Sequence, residues 1–306
     1  MSQHSRTDRR EVTRDISYAS SVRSRGARAL VRTIENATGR LSLIRRAKGY
    51  GDDVAAGRDF WQVMVDRYGL SLEVVQGALE DIPRVGPLIV VANHPFGILD
   101  GLMMGHILAG IRGDFRILAN RVFRRAEALD RVILPVSFDE TKDAQAVNIA
   151  TRKEALRYLA EGGAIGVFPG GTVATSARPL GAPMDPQWRS FTARMIAKSQ
   201  ATVVPIYFDG TNSRLFQLAS HVHPTLRLAL LIKEFRSRVD APCRISVGRP
   251  IPRHELDARA GDPRAMMDFL RDSTYALSPR PLRSRGYGYE FETRYKAKPH
   301  GGRDLR

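Results

Sequence analysis

A histidine and an aspartate stand six positions apart in the stretch "NHPFGILDG", residues 93–101, directly after the apolar run "PLIVVA". A histidine held beside a carboxylate can act as a general base toward a hydroxyl, the carboxylate fixing the tautomer and stabilising the imidazolium that forms. His94 and Asp100 have that chemistry. Pro95 and Gly97 between them turn the chain sharply and bring the acid back toward the imidazole, at the start of a helix expected near Gly101. A plainer alternative needs no chemistry: Asp100 caps that helix and His94 is a hydrogen-bonded loop residue. On these residues alone both readings stand.

Two more stretches carry groups of interest. "GAIGVFPGGTVATS" ends a strand at Phe168 and opens into Pro169, Gly170, Gly171 and Thr172, where the glycines let backbone N–H groups approach an oxyanion or phosphate. No Gly-Lys-Ser/Thr follows, and neither a dinucleotide G-x-G-x-x-G nor a hydrolase G-x-S-x-G is present, so by itself this is a glycine turn. "ILANRVFRRAEALDRVILPVSFD" places Asn120, Arg121, Arg124 and Arg125 just after a strand, a cationic cluster suited to a phosphate or carboxylate, or else a solvated helix face.

The elements that must position these groups read as α/β. From residue 58 helical and strand-like segments alternate. "GRDFWQVMVDRYGLSLEVV" reads as helix, and "PLIVVA", "FRILA", "VILPVSF", "AIGVFP", "ATVVPIYFDG", "LRLALLI" and "CRISVGRP" read as strands. Helical intervals fall at 101–111, 145–160 and 188–199. Several strands are nearly continuously apolar, as expected of a sheet covered by helices on both faces, and functional groups in such sheets gather at the carboxyl ends of strands. Before this domain, assigned to 51–278, residues 26–50 form a basic amphipathic segment. Leu30, Ile34, Ala37, Leu41 and Ile44 recur there at steps of four and three, with a break near Gly39, and that stripe lies either on a membrane surface or on the protein's own core. Residues 1–25 and 279–306 are polar, Arg-rich and expected to be poorly ordered.

At 306 residues with 43% hydrophobic content the chain can bury a real core. The longest apolar candidate, 88–111, is interrupted by Asn93, His94, Pro95, Asp100 and His106, so nothing spans a bilayer, and the N-terminus lacks the apolar core of a secretory signal. The single cysteine, Cys243, excludes internal disulfides and multi-cysteine zinc sites, fits a reducing cytoplasm, and reads as a buried small hydrophobe rather than a nucleophile. The net charge of +16 belongs to the ends: residues 1–50 hold 12 Lys/Arg against 4 Asp/Glu, and 279–306 hold 8 against 3. Such arms attract nucleic acid, anionic lipid or an acidic carrier protein. A nucleic-acid-binding protein is disfavoured, because the body is nearly neutral and carries no recognised binding motif.

Taken together the stretches resemble the lysophospholipid acyltransferases, the family of 1-acylglycerol-3-phosphate O-acyltransferases and glycerol-3-phosphate acyltransferases. "NHPFGILD", "LANRVFRR", "FPGGTVATS" and "ATVVPIYFDG" correspond in order to that family's four motifs, over roughly residues 85–250. "NHPFGILDG" and "GTNSRLFQLASHVHPTLRLALL" are most similar to its hemolysin-like bacterial branch, some members of which are implicated in making ornithine and other amino-acid lipids. The resemblance implies a mixed, largely parallel sheet flanked by helices. It also implies acyl transfer from acyl-carrier protein or acyl-CoA to the hydroxyl of a lyso-lipid, with no cofactor, metal or covalent enzyme intermediate. In that reading His94 is the base and Asp100 orients it, while Asn93, Phe96, Gly97, Asn120, Arg121, Arg124, Pro169, Gly170, Gly171 and Thr172 bind substrate. N–H groups of Gly170 and Gly171 meet the oxyanion. The basic ends would dock a cytoplasmic enzyme on the inner face of the cytoplasmic membrane, each surface cation near an anionic leaflet being worth about 1 kcal/mol. Three departures stand out: five residues rather than four separate His94 from Asp100, Gly170 replaces a Glu, and Val173 replaces the Arg associated with the acceptor's phosphate. Either Arg121 or a neighbour makes that contact, or the acceptor is a different lyso-lipid.

Overall fold

The computed structural model describes residues 16–22, 24–120, 127–137, 141–282 and 285–292. Along the chain run α1 (Arg25–Ala37), α2 (Arg40–Ala47), α3 (Tyr50–Ala55), α4 (Phe60–Arg67), β1 (Ser71–Gln76), β2 (Leu88–Ala92), α5 (Ile98–Arg112), β3 (Arg116–Asn120), α6 (Glu127–Asp130), β4 (Ile133–Val136) and α7 (Lys142–Ala160). There follow β5 (Ala164–Val167), the short β6 (Thr175–Ser176) and β7 (Pro183–Met184), α8 (Ser190–Ala197), β8 (Thr202–Phe208), α9 (Arg214–Val222), α10 (Pro224–Arg236), β9 (Pro242–Val247), α11 (Arg253–Asp257) and α12 (Pro263–Tyr275).

Seven strands form one sheet in the order β1-β9-β8-β2-β5-β3-β4, and every neighbouring pair is parallel except β8 with β9. The expected mixed, largely parallel sheet flanked by helices is therefore observed. β2 lies at its centre between β5 and β8, all five of its residues buried, because alternate side chains feed two different cores. Leu88, Val90 and Ala92 join the core under α4 and α5, whereas Ile89 and Val91 join the one under α7, α8 and α12.

Two segments differ from the sequence reading. "LRLALLI" is not a strand but the middle of α10, which starts with Pro224 at its first turn and His223 as its cap. A short apolar run looks alike in a buried strand and a buried helix, and here Leu230, Leu231 and Ile232 pack on neighbours from more than one side. The stretch beginning "GRDFWQVMVDRYG" is helical only to Arg67. Gly69 (φ 60°) ends it, and "SLEVVQ" beyond is the edge strand β1.

The amphipathic segment does break at Gly39 (φ 126°), but its buried stripe is rotated from the expected one. Val31, Glu35 and Leu43 are buried while Leu30 and Leu41 are exposed, and α1 packs with Val31 and Ile34 against Ala229 of α10. Glu35 turns inward because it is used: its carboxylate accepts from Ser17 Oγ at 2.6 Å and Tyr18 N at 2.7 Å. Parts of the ends are thus docked. Residues 285–292 lie across the β6–β7 hairpin, with Gly288 N donating to Asp185 O, Tyr289 N donating to Thr175 O, and Arg189 paired with Glu290 and Glu292. A side chain at 288 would collide with the Met184 and Thr175 carbonyl oxygens, so glycine is required for that approach. Among the described residues no helix is long and apolar enough to cross a membrane.

Candidate active site

β2 runs out at Ala92, and the next residue takes over the work of the strand ladder. The Asn93 amide is buried and spans to β8, its Oδ1 accepting from Phe208 N at 2.7 Å and its Nδ2 donating to Phe208 O at 3.0 Å. With both ends of the amide engaged, Asn93 acts on the site by fixing where the chain leaves the sheet. His94 follows, its backbone held on both sides: the N–H donates to Asp185 Oδ1 at 3.2 Å and the carbonyl accepts from Ala174 N at 2.7 Å. Phe168, just past the end of β5, stacks on one face of the imidazole with ring centroids 4.4 Å apart.

The turn that returns Asp100 to His94 depends on Gly97, whose φ of 88° and ψ of −101° suit only glycine. A Cβ there would also press on Val173 Cγ2 at 3.1 Å and Leu231 Cδ2 at 3.3 Å. α5 begins at Ile98, three residues before the expected start, so Asp100 sits inside its first turn rather than at its cap. The fully buried carboxylate reaches back, Oδ2 accepting from Phe96 N at 2.8 Å and Gly97 N at 2.9 Å. The same Oδ2 lies 2.9 Å from His94 Nδ1. Helix-stabilising acid and histidine partner, alternatives in the sequence, are one side chain. The imidazole is close to the carboxylate but not aimed squarely at it: Nδ1 makes no well-directed hydrogen bond and Asp100 Oδ1 has no partner. Contacts of this kind tighten when substrate closes an open site. The fifth intervening residue is absorbed by the turn at Gly97.

The glycine stretch reaches the same place from β5. Gly171 (φ 69°) donates its N–H to Phe168 O at 3.0 Å, closing the turn, so of the two expected oxyanion donors only the Gly170 N–H is without a hydrogen bond among the described residues. Pro169 O accepts from Arg189 N at 2.9 Å. Gly170 is buried against Asp185, whose carboxyl carbon would lie 3.4 Å from a Cβ at 170. Asp185 is fully buried, takes Trp188 Nε1 at 2.9 Å on Oδ2, and has its carboxyl pushed upward by burial.

Phe96 is a core residue, buried against Gly210 and covered by the Arg238 guanidinium 4.5 Å above its ring. Asn120 is the last residue of β3, in register with Val136 of β4. Arg121, Arg124 and Arg125 lie outside the described residues. Cys243 is buried in β9 and its thiol is pushed up by burial, away from the range of a nucleophile.

Sequence reasoning missed Arg227. This α10 residue is buried, and its Nη2 donates to Thr172 Oγ1 at 3.0 Å and Val173 O at 2.6 Å while its Nη1 donates to Thr175 Oγ1 and to Ser220 Oγ at 3.0 Å. Phe291 and Phe216 flank the guanidinium at 4.3 and 5.0 Å. Every one of these acceptors is neutral. Burial pulls the group down to about 9, so it is charged at neutral pH. The spacing held a signal: Arg227, Leu230, Leu231 and Glu234 fall at i, i+3, i+4 and i+7, one helical stripe with buried charges at both ends.

Comparison with known proteins places these features in a family. A family model described as acyltransferase matches residues 22–280, which take in the whole sheet and the loops that carry His94 and Gly170. Lyso-glycine lipid O-acyltransferases from Phocaeicola vulgatus and Bacteroides thetaiotaomicron are each 25% identical over 228 and 229 residues, 72% of this chain and 78% and 80% of theirs. Among solved structures, the 1-acyl-sn-glycerophosphate (LPA) acyltransferase PlsC from Thermotoga maritima is similar at 16% identity and a TM-score of 0.45, covering 83% of this chain and 98% of that one. The chain belongs to the acyltransferase family and is an O-acyltransferase.

Proposed function

We propose that this enzyme moves a fatty acyl group from an acyl-carrier protein or acyl-CoA thioester to the hydroxyl of a lyso-lipid built on an amino acid. The observation that carries the chemistry is His94 Nδ1 at 2.9 Å from a buried carboxylate, with no described group taking up Nε2. Nε2 removes the proton of the acceptor hydroxyl as its oxygen attacks the thioester carbonyl. The tetrahedral intermediate then collapses, the C–S bond breaks, and the thiolate takes the proton back from the imidazolium. Ester and thiol are the products, and no residue is acylated. Asp100 holds the proton on Nδ1 so that the lone pair stays on Nε2.

The acceptor is read from two observations. The curated relatives are lyso-glycine lipid O-acyltransferases, and Val173 stands where the phosphate-acceptor enzymes of the family carry Arg. Glycine offers an amine and a carboxyl but no hydroxyl. An O-acyl acceptor built on it must therefore carry the hydroxyl on the chain already attached, most simply through an amide at the amine. Ornithine or another amino acid would serve the same chemistry. Incubation with acyl-carrier thioester or acyl-CoA and a panel of glycine, ornithine and phosphate lyso-lipids, followed by mass spectrometry, should give the O-acylated amino-acid lipid. Conversion of lysophosphatidate alone would sink this choice of acceptor.

A bilayer surface is the source of such acceptors, and an exposed face of α9 supports docking there. Leu215, Leu218 and Val222 recur at i, i+3 and i+7 and are 51%, 42% and 73% exposed, beside exposed Leu180 and Leu30 and the cations Arg214, Arg178 and Arg28. An apolar cleft of about 380 Å³ between Leu30 and Leu226 continues this face. In this reading the enzyme is peripheral on the inner leaflet of the cytoplasmic membrane. Sedimentation with anionic vesicles should fall at least tenfold when Leu215, Leu218 and Val222 are changed together to Ser, and fall with added salt. Unchanged sedimentation of that variant would remove α9 from the docking face.

A further inference from the structure

We infer that a cavity beside the catalytic loops, lined by Asn212 and Gln217, is a subsite for a secondary amide. The cavity measures about 430 Å³ and is bounded by Leu180 and Pro183 from the segment around the β6–β7 hairpin, by Thr211 and Asn212 from the loop after β8, and by Arg214 and Gln217 of α9. Both bounding segments hold the Asn93–His94 stretch from their other ends. Phe208, four residues before Asn212, carries the two hydrogen bonds to Asn93, and Ala174, next to β6, donates to the His94 carbonyl.

Two of the lining residues carry polar atoms that the protein does not use, lying just beneath the cavity's accessible surface, where a small side-chain rotation would bring them to a ligand. Asn212 is 4% exposed, yet neither its Nδ2 nor its Oδ1 has a hydrogen-bond partner. Gln217 is 2% exposed; its Oε1 accepts from Ser176 N at 3.0 Å, but its Nε2 donates to nothing. A buried polar atom left unpaired costs about 1–3 kcal/mol, so three at one cavity mark a place where a ligand completes the pairing. What they complete is specific. Asn212 presents one donor and one acceptor side by side, the complement of a secondary amide's C=O and N–H, and Gln217 Nε2 adds a second donor for a carbonyl or carboxylate oxygen. An ester has no N–H and leaves Asn212 Oδ1 unpaired. Arg214, exposed at the rim, supplies a cation for an acidic group next to the amide.

Two components of the reaction contain secondary amides: an N-acylated amino-acid acceptor and the pantetheine arm of the donor. Exposed Leu180 lines this cavity, and exposed Leu215 and Leu218 are the chain neighbours of its Arg214 and Gln217, so it adjoins the face proposed to meet the bilayer, which favours the acceptor. In that form the inference rests on the amino-acid acceptor proposed above, and the cavity is what distinguishes such an acceptor from an ester-linked glycerophospholipid.

The test reads binding apart from turnover. By titration calorimetry, N-octanoylglycine, which lacks the reactive hydroxyl, should bind the wild type at least tenfold more tightly than its ester isostere, octanoyl glycolate. Asn212→Leu should abolish that preference. Gln217→Glu, which keeps the acceptor for Ser176 N and removes the free donor, should weaken both ligands and, because it buries a carboxylate, lower the melting temperature as well, so Asn212→Leu carries the test of preference. If these titrations show no preference but Asn212→Leu raises KM for an acyl-pantetheine donor tenfold, the subsite holds the donor's amide instead. Equal affinity of the wild type for amide and ester together with an unchanged donor KM would overturn the inference, as would a preference that survives Asn212→Leu. Absence of product from a hydroxylated N-acylglycine would fail the acceptor reading without touching the binding result.

Discussion

His94→Ala should lower turnover by a factor of about 10²–10⁴, the usual contribution of a positioned general base, while the protein stays folded. The second half of that expectation follows from how the loop is held. Asp185 and Ala174 grip the His94 backbone, Asn93 anchors the chain just before it, and none of these contacts uses the imidazole. What the variant loses in packing is one stacked ring on Phe168. Asp100→Asn tests the other partner with the loop intact. An amide oxygen in the place of Oδ2 can still accept from Phe96 N and Gly97 N and still faces Nδ1, so the geometry is kept and only the negative charge is removed. The imidazolium that forms as the hydroxyl is deprotonated then loses its counter-charge, and turnover should fall by the same order with KM for the lyso-lipid nearly unchanged. Asp100→Ala is the less informative change, because it also strips the two backbone donors at the head of α5. Rates are read by thiol release from the donor, and folding by thermal melting of each variant. Retention of more than a tenth of wild-type turnover by either His94→Ala or Asp100→Asn would remove the pair from the mechanism.

The sheet and this pair were legible in the sequence for one shared reason. β2, β3, β4, β5 and β8 are apolar on both faces, and such runs have few alternatives when turn residues bound them on each side. His94 and Asp100 were visible because Pro95 and Gly97 restrict the chain locally, so six residues of sequence determine most of the geometry. The misreadings have the opposite character. "LRLALLI" has the composition of a buried strand, and only its tertiary neighbours make it a helix. β1 is a half-exposed edge strand whose pattern continues that of the preceding helix. Leu30 and Leu41 matched the helical period as well as Val31 and Leu43 do, and what decided between the two faces was a polar anchor, Glu35 gripping Ser17 and Tyr18, that hydropathy cannot register. Asp185 was invisible for a related reason: it lies 91 residues from His94, and its role depends on Gly170 leaving room for it.

Arg227→Met should cost turnover at least tenfold through the geometry of the glycine loop, with a smaller effect on stability. The guanidinium ties Thr172, Val173 and Thr175 to α10 at once, and the Val173–Ala174 peptide is shared between two tasks: its carbonyl accepts from Arg227 Nη2 at 2.6 Å and its N–H donates to the His94 carbonyl at 2.7 Å. Removing the cation frees the strip of backbone that fixes His94 from one side. Two opposing terms act on stability. The Val173 carbonyl keeps Thr175 Oγ1 as a donor at 3.0 Å and Ser220 Oγ keeps Phe216 O as its acceptor, so the loss is that of the guanidinium's own hydrogen bonds, about 0.5–1.5 kcal/mol each. Against this, a buried positive charge with no carboxylate beside it is itself unfavourable, and methionine relieves it. The terms offset in part, so the melting temperature should drop by a few degrees while turnover drops by an order of magnitude. Arg227→Lys separates charge from shape: an ammonium retains the charge, but it cannot address four acceptors arranged for a planar fork and should recover little activity. A lysine variant with wild-type turnover would mean that the site needs only the charge, and a methionine variant with wild-type turnover would mean that the loop holds His94 without Arg227.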